Sequence, residues 1–193
     1  MKYKIFAIAL LFMPFFGMSQ EKHEQEFRIK KSQFPDAALE QIEQYLGDAK
    51  RIRFYQELDS TKKSYEAKFK KGRLHYSVEF NETGKLEDVE FIIKERDIPE
   101  DSWNAILEHL QENYPKFRIK KIQQQYPLAD REPKKTLHEA FQNLILPYIN
   151  YELVFSAKKD KGFQTYEALF NSEGTLINIR KSSPLSYDHV LYP

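Results

Sequence analysis

Phe80-Asn81-Glu82-Thr83-Gly84-Lys85-Leu86 and Phe170-Asn171-Ser172-Glu173-Gly174-Thr175-Leu176 are one turn written twice, 90 residues apart. Asn and Gly supply its geometry, including the positive φ that other residues adopt poorly. The same shift pairs Gly72 with Gly162 and Tyr76 with Tyr166, so the whole hairpin recurs. A helix start recurs further upstream. Phe34-Pro35-Asp36-Ala37 and Ile98-Pro99-Glu100-Asp101 lie 64 residues apart, and that shift also pairs Leu39 with Trp103, Ile42 with Ile106 and Leu46 with Leu110. Proline at the first helical position and acids in the first turn suit a helix N-terminus, where unpaired N–H groups gather. Gly47 stands where the first helix is expected to stop.

Alternating segments follow each helix and read as strands. After the first helix they are about 51–58, 64–70, 73–80 and 86–93; after the second, 118–124, 151–156, 163–170 and 176–181. The fold class expected is α+β: two tandem α-β-β-β-β units, each an antiparallel four-stranded sheet with a helix packed on one face. Unit 1 is placed at 27–95, unit 2 at 96–184 and a tail at 185–193. The change of shift from 64 to 90 implies inserted residues, most of them within 127–150. Thr136-Leu137-His138-Glu139 resembles a capping box, which predicts an inserted helix near 136–146.

Residues 1–20 read as a secretory signal peptide. Lys2 and Lys4 precede an apolar run from Ile5 to Phe16, and Gly17-Met18-Ser19 offers small residues for cleavage. That run is short of the roughly 20 residues needed to span a bilayer. The chain has no Cys, so a lipid-modified Cys anchor, disulfides and thiolate metal sites are excluded. Without the leader, 28 Lys and Arg face 29 acids, a balance unlike that of a phosphate-binding nucleic-acid domain. The expected location is periplasmic or secreted, with no membrane anchor after cleavage.

The helix openings at Phe34-Pro35 and Ile98-Pro99, the Tyr65-Glu66 and Tyr151-Glu152 strands, and the two Phe-Asn-x-x-Gly-x-Leu turns resemble the exported PepSY-like proteins. That family is also described as β-lactamase-inhibitor-like. The likeness covers about 27–183, and the insert departs from the simple pattern. It implies a periplasmic protein whose relatives bind or inhibit other proteins, often hydrolases.

Catalytic chemistry finds little support. The histidines His23, His75, His109, His138 and His189 fall at no zinc-ligand spacing. No Gly-x-Ser-x-Gly or Ser-x-x-Lys occurs, and the 6 glycines leave no phosphate-cradling loop. Pairs such as Glu87 and Asp88 are easily found among 29 acids, and sequence cannot place two across a cleft. The expectation is no enzyme, no cofactor and no metal.

If the helices cover one face of each sheet, alternate residues point the other way. On that open face the first unit is nearly all polar, whereas the second carries Val154, Phe163 and Leu169. An inserted helix laid over them is the expected cover; an exposed patch for a partner is the other reading. Tyr55, His75, Phe163 and Leu169 are the candidate partner-binding residues. The function expected is a non-catalytic periplasmic binding module for another envelope protein or peptide, with hydrolase inhibition as a sub-case. A structural or envelope-stress accessory protein and a carrier of a small apolar ligand are the alternatives.

Overall fold

The computed structural model describes residues 21–22, 24–59, 62–159 and 162–182. The expected signal peptide (1–20), His23 and the tail (185–193) lie outside the described residues. In chain order the elements are β1 (Glu21–Lys22), β2 (Glu24–Ile29), α1 (Asp36–Leu46), β3 (Lys50–Asp59), β4 (Lys62–Lys71), β5 (Leu74–Asn81) and β6 (Leu86–Ile92). There follow α2 (Glu100–Asn113), β7 (Phe117–Pro127), α3 (Pro133–Phe141), β8 (Asn150–Lys159), β9 (Gly162–Asn171) and β10 (Leu176–Ser182).

The two helix starts are built alike. Short 3-10 turns at Lys31–Gln33 and Glu95–Asp97 come first. In each turn a side chain bonds back to the backbone: Gln33 Oε1 accepts from the Lys30 N–H at 3.0 Å and Asp97 Oδ2 from the Lys94 N–H at 2.9 Å. Pro35 and Pro99 then occupy the N-cap, one position before the first helical residue that the sequence suggested for them. Ala38 and Ile42 on α1, and Ile106 and Leu110 on α2, are fully buried. Gly47 has φ −56°, so α1 ends without the left-handed residue that a glycine there suggests.

The duplicated turns explain their own residues. Asn81 Oδ1 accepts the N–H groups of Thr83 and Lys85, both at 3.0 Å, and Asn171 Oδ1 accepts those of Glu173 and Thr175 at 3.0 and 2.8 Å. Gly84 and Gly174 sit at φ +80° and +84° against the first turns of α1 and α2. A Cβ on Gly84 would lie 3.0 Å from the Ala38 nitrogen, and one on Gly174 only 2.4 Å from the Ser102 carbonyl oxygen. Each hairpin turn thus docks under a helix start, and Ser102 Oγ donates to the Ser172 carbonyl at 2.7 Å.

The expectation of a separate four-stranded sheet under each helix is corrected by the strand order, β1-β10-β9-β8-β7-β6-β5-β4-β3-β2, a single sheet of ten strands. β6 and β7 pair antiparallel from Asp88↔Pro127 to Ile92↔Gln123 and fuse the two halves. All neighbours are antiparallel except β1, which lies parallel to β10. Its edges nearly meet. β1 and β2 occupy opposite ends of the strand order, yet Lys22 and Glu24 are only two residues apart, a Cα separation of at most about 7.6 Å. The sheet therefore curls until one short stretch of chain reaches both edges, which shields them from edge-to-edge association.

One side of this curled sheet carries the apolar core. Phe54, Phe69, Phe80, Phe91, Phe155 and Phe170 are all buried there, beneath the helices. The inserted helix also lies on this side, which corrects its expected place over the open face. Phe141 stacks on Tyr45 of α1 at 4.0 Å and packs on Tyr76 at 4.8 Å, and α3 contacts β6 and β7. The seam between the fused halves needs an apolar cover, and α3 provides it. The helix spans Pro133–Phe141 rather than 136–146: Glu132 is the N-cap, and Thr136 is a buried position inside it. Leu144 and Ile145 lie beyond its end and are exposed. Tyr126 holds the return loop, donating to the Leu144 carbonyl at 2.7 Å. No helix among the described residues is long and apolar enough to cross a membrane.

The glycines give a graded test. Gly72 has φ +57° with nothing near its missing Cβ. Gly72→Ala is expected to cost about 1 kcal/mol, Gly84→Ala more and Gly174→Ala the most, in urea denaturation. Equal losses at all three would contradict the docking of the turns under the helices.

Candidate functional site: the polar inner face

Alternation decides what faces inward. On β3, Phe54 enters the core, while Tyr55 and Glu57 point to the other side. On β6, Val89 and Phe91 alternate with Asp88 and Glu90. The side without helices encloses a groove of about 270 Å³, lined from nine strands, β2 to β10. Nine carboxylates line it against four Lys and Arg side chains and His75. A solvated sheet face would leave such groups hydrated; the curl draws many of them out of water instead. Glu66 is 4% exposed, Glu90 6% and Glu167 5%.

One cluster comes from β2, β3 and β4. Carboxylate oxygens of Glu26, Glu57 and Glu66 lie within 4.8 Å of one another. Lys68 Nζ sits 2.6 Å from Glu66 and 3.0 Å from Glu26, with the Tyr55 ring 4.9 Å away. Burial pushes the Glu57 carboxyl up to about 11, helped by repulsion from Glu66 and Glu79, so at neutral pH it is protonated and shares a hydrogen bond with Glu66. Burial also pushes Glu66 upward, but the Lys68 charge and the Ser77 hydroxyl outweigh it and hold that carboxylate below its usual range. For Lys68, burial opposes the charge and Glu66 and Glu26 overcome it, raising its pKa. Three close carboxylates form a donor set that suits a hard cation. The Lys68 ammonium already supplies the positive charge there.

A second cluster lies at the β6–β7 seam. Gln123 Nε2 donates to Glu90 Oε2 at 2.7 Å; Gln125 Nε2 donates to Glu90 Oε1 at 3.0 Å and reaches Asp88 Oδ2 at 3.3 Å. Asn150 steadies Gln125 by donating to its Oε1 at 3.0 Å. Burial pushes Asp88 and Glu90 well above the usual carboxylate range, with added repulsion from Glu79 and Glu152. Flanking this seam, Lys121 pairs with Glu152 at 3.7 Å, and Arg180 Nε donates to Glu167 at 3.2 Å. Asp88 and Glu90 thus meet amide donors where their neighbours meet ammonium or guanidinium groups.

The structure scatters the four residues expected to bind a partner. Tyr55 is buried beside Lys68. His75 lines the groove, and burial together with Lys70 and Arg51 lowers its pKa. Phe163 is 72% exposed near the start of β9, and Leu169 is half-buried further along that strand. Five strands separate β3 from β9 in the sheet, about 29 Å along its surface at roughly 4.8 Å per strand. Val154, expected under the inserted helix, is fully buried on the inner face between its cross-strand neighbours Lys121 and Glu167. Glu90, Gln123, Gln125 and Glu26 escaped the sequence reading, and Asp88 entered it only beside Glu87 as an ordinary pair of acids. Their signal was polar residues two apart on one face, as in Asp88/Glu90 and Gln123/Gln125.

The chain matches no family model and no curated protein. Its fold is shared with solved structures from Bacteroides. A DUF2874 family protein from Bacteroides ovatus is 14% identical with a TM-score of 0.51, the match covering 76% of this chain and 86% of that one. A chain from Bacteroides eggerthii, provisionally described as periplasmic, is 12% identical with a TM-score of 0.50, over 76% and 88% of the two chains. A protein described as BLIP-like from Bacteroides fragilis is 14% identical with a TM-score of 0.48, over 83% and 94%. At these identities the likeness is one of fold.

Two outcomes follow from the charges. Lys68→Met strands Glu66 and Glu26 and is expected to cost about 3–5 kcal/mol, while Lys68→Met with Glu66→Gln recovers most of the loss in a urea double-mutant cycle. A neutral Lys68→Met would refute the role of its ammonium. For pH, an acid whose pKa rises on folding takes up a proton as the chain folds. Its stabilisation is full below the unfolded value, near 4.5 for Glu57, and is lost progressively as pH climbs towards the folded value. With Glu57, Asp88 and Glu90 all raised, Tm is expected to fall between about pH 7 and pH 9, and Glu57→Gln to flatten the slope. A Tm that rises over this range would be the contrary result.

Proposed function

We propose that this chain is an exported, non-catalytic binding module of the periplasm, acting on a protein or peptide partner through the inner face of its curled sheet. The observation that carries the reading is the one-sided placement of the helices. α1, α2 and α3 all serve the apolar face, while a groove reached from nine strands is left without a helical cover among the described residues. The leader-like residues 1–20 support export, and the fold shared with a chain provisionally described as periplasmic agrees with it.

The finer reading is a duplication. Two PepSY-like units, 27–95 and 96–184, would each contribute a helix, a docked Asn-Gly turn and four strands, with the sheets later fused at β6–β7. The equivalent burial of Ile42 and Ile106 and the equivalent seats of Gly84 and Gly174 support it. Inhibition of a hydrolase is a sub-case of partner binding. An apolar-ligand carrier is less favoured, because the groove is lined mainly by charged and amide groups. The accessory-protein reading stands as the alternative if no partner is found.

The test is affinity capture from an envelope extract with the purified protein, compared with open-face and helix-side variants. Phe163→Ala with Leu169→Ala is expected to reduce recovery of the captured partner at least tenfold, and Ile145→Ala on the helix side to leave it unchanged. The reverse pattern would move the contact surface to the other side of the molecule.

A further inference from the structure

The seam cluster indicates what kind of group the inner face receives. This step rests on the inner face being the binding surface. At about 270 Å³, the groove is smaller than the roughly 300–1,000 Å³ typical of sites for drug-sized molecules. It is suited to one long side chain rather than to a helix or a bulky organic ligand.

The acids alone would not define a site, since carboxylate clusters are often served by internal cations. That holds around Lys68, Lys121 and Arg180. At Asp88 and Glu90 the hydrogen-bond donors are amide N–H groups instead, although the Lys121 charge also acts on Glu90. Two acceptors there remain unused. Gln123 is 6% exposed and lines the groove, yet its Oε1 accepts no hydrogen bond among the described residues, and neither does Asp88 Oδ1. A buried acceptor without a donor is costly, by about 1–3 kcal/mol for a neutral group and more for a charged one. A ligand bearing several N–H groups and a positive charge would satisfy both acceptors and draw the neighbouring acids back towards their ionised form.

We propose that Asp88, Glu90 and Gln123 form a pocket for a basic side chain, arginine in preference to lysine, presented by a protein partner. The register sets Asp88 opposite Pro127 and Gln123 opposite Ile92, so the two unused acceptors lie on either side of Glu90. A guanidinium spreads five donors more widely than an ammonium and is more weakly hydrated, so it enters a half-dry groove at lower cost. A metal ion fits less well. Both Glu90 oxygens already accept an amide N–H group, which leaves fewer free lone pairs for the roughly six to eight oxygen ligands a hard cation takes.

The test uses the purified protein with a fluorescent tri-arginine peptide, its uncharged isostere tri-citrulline and tri-lysine, followed by anisotropy and by side-chain amide NMR. Tri-arginine is expected to bind at least tenfold more tightly than tri-citrulline and more tightly than tri-lysine, and to shift the Gln123 and Gln125 amide signals. Asp88→Asn and Glu90→Gln are each expected to weaken tri-arginine at least fivefold. Each substitution leaves a neutral side chain of the same shape where burial already disfavours the charged form, so each variant should melt no lower than the parent, which separates loss of binding from loss of fold. Asp130→Asn, at an exposed acid outside the groove, should change nothing. The proposal is overturned if tri-arginine binding is insensitive to Asp88→Asn and Glu90→Gln, or if it leaves the Gln123 amide unmoved. It is equally overturned if Ca²⁺ alone reproduces the amide shifts while the peptide does not. If the peptides fail but the open-face variants still lose a captured partner, the choice of a basic group is wrong and the binding surface stands. Loss of both results removes the surface as well.

Discussion

Five residue pairs between Asp88–Ile92 and Gln123–Pro127 determine how every other element is used. Without them each half would have a β-edge beside its own helix, and an exposed edge invites unwanted pairing. With them the strands form one sheet broad enough to curl, and curling creates an inside. The same pairing places Asp88 and Glu90 next to Gln123 and Gln125, so the seam that joins the halves is also the floor of the groove. Its outer side would be an apolar gap between α1 and α2, and Phe141 of α3 covers it, stacked on Tyr45 and packed against Tyr76.

The charged interior follows from that geometry and has to be tolerated by it. Replacing buried ion pairs with well-packed apolar residues is often neutral or stabilising, so an acid-rich inner face is not the arrangement that stability alone would favour. Three devices keep it folded. Lys68 compensates Glu66 and Glu26, Glu57 stays protonated against Glu66, and amides from β7 support Glu90. These devices differ in strength. The ammonium holds Glu66 below the usual carboxylate range, whereas the amides leave Asp88 and Glu90 well above it. The seam is therefore the least compensated stretch of the groove, and its position at the centre of the strand order leaves it far from both edges.

Local geometry was legible in the sequence where it rests on a few residues. Asn81 with Gly84 and Asn171 with Gly174 declared two turns, and Pro35 and Pro99 declared two helix starts. The strands followed from alternation to within a few residues. What alternation cannot supply is the partner of an edge strand, because β6 and β7 look alike whether they end two sheets or join one. Nor could it show whether the polar side is an outside or an inside. That depends on residues 21–29, where no strand was expected and which supply β1 at one edge and β2 at the other. Tyr55 shows the consequence: it was assigned correctly to the polar side, but it lies buried against Lys68 instead of facing solvent.

The inserted helix makes the same point from the opposite direction. Its apolar stripe showed that α3 needed a partner, and Val154, Phe163 and Leu169 were exposed candidates as long as the polar side was taken to be flat. Curvature removes that opportunity. Val154 is already enclosed by its neighbours on the concave side, whereas the convex side widens at the seam and leaves Phe69, Tyr76 and Phe91 in need of cover. A concave surface crowds its own side chains and a convex one spreads them, so added apolar mass is most stabilising outside. The insertion therefore thickens the shell at its weakest line and leaves the groove open.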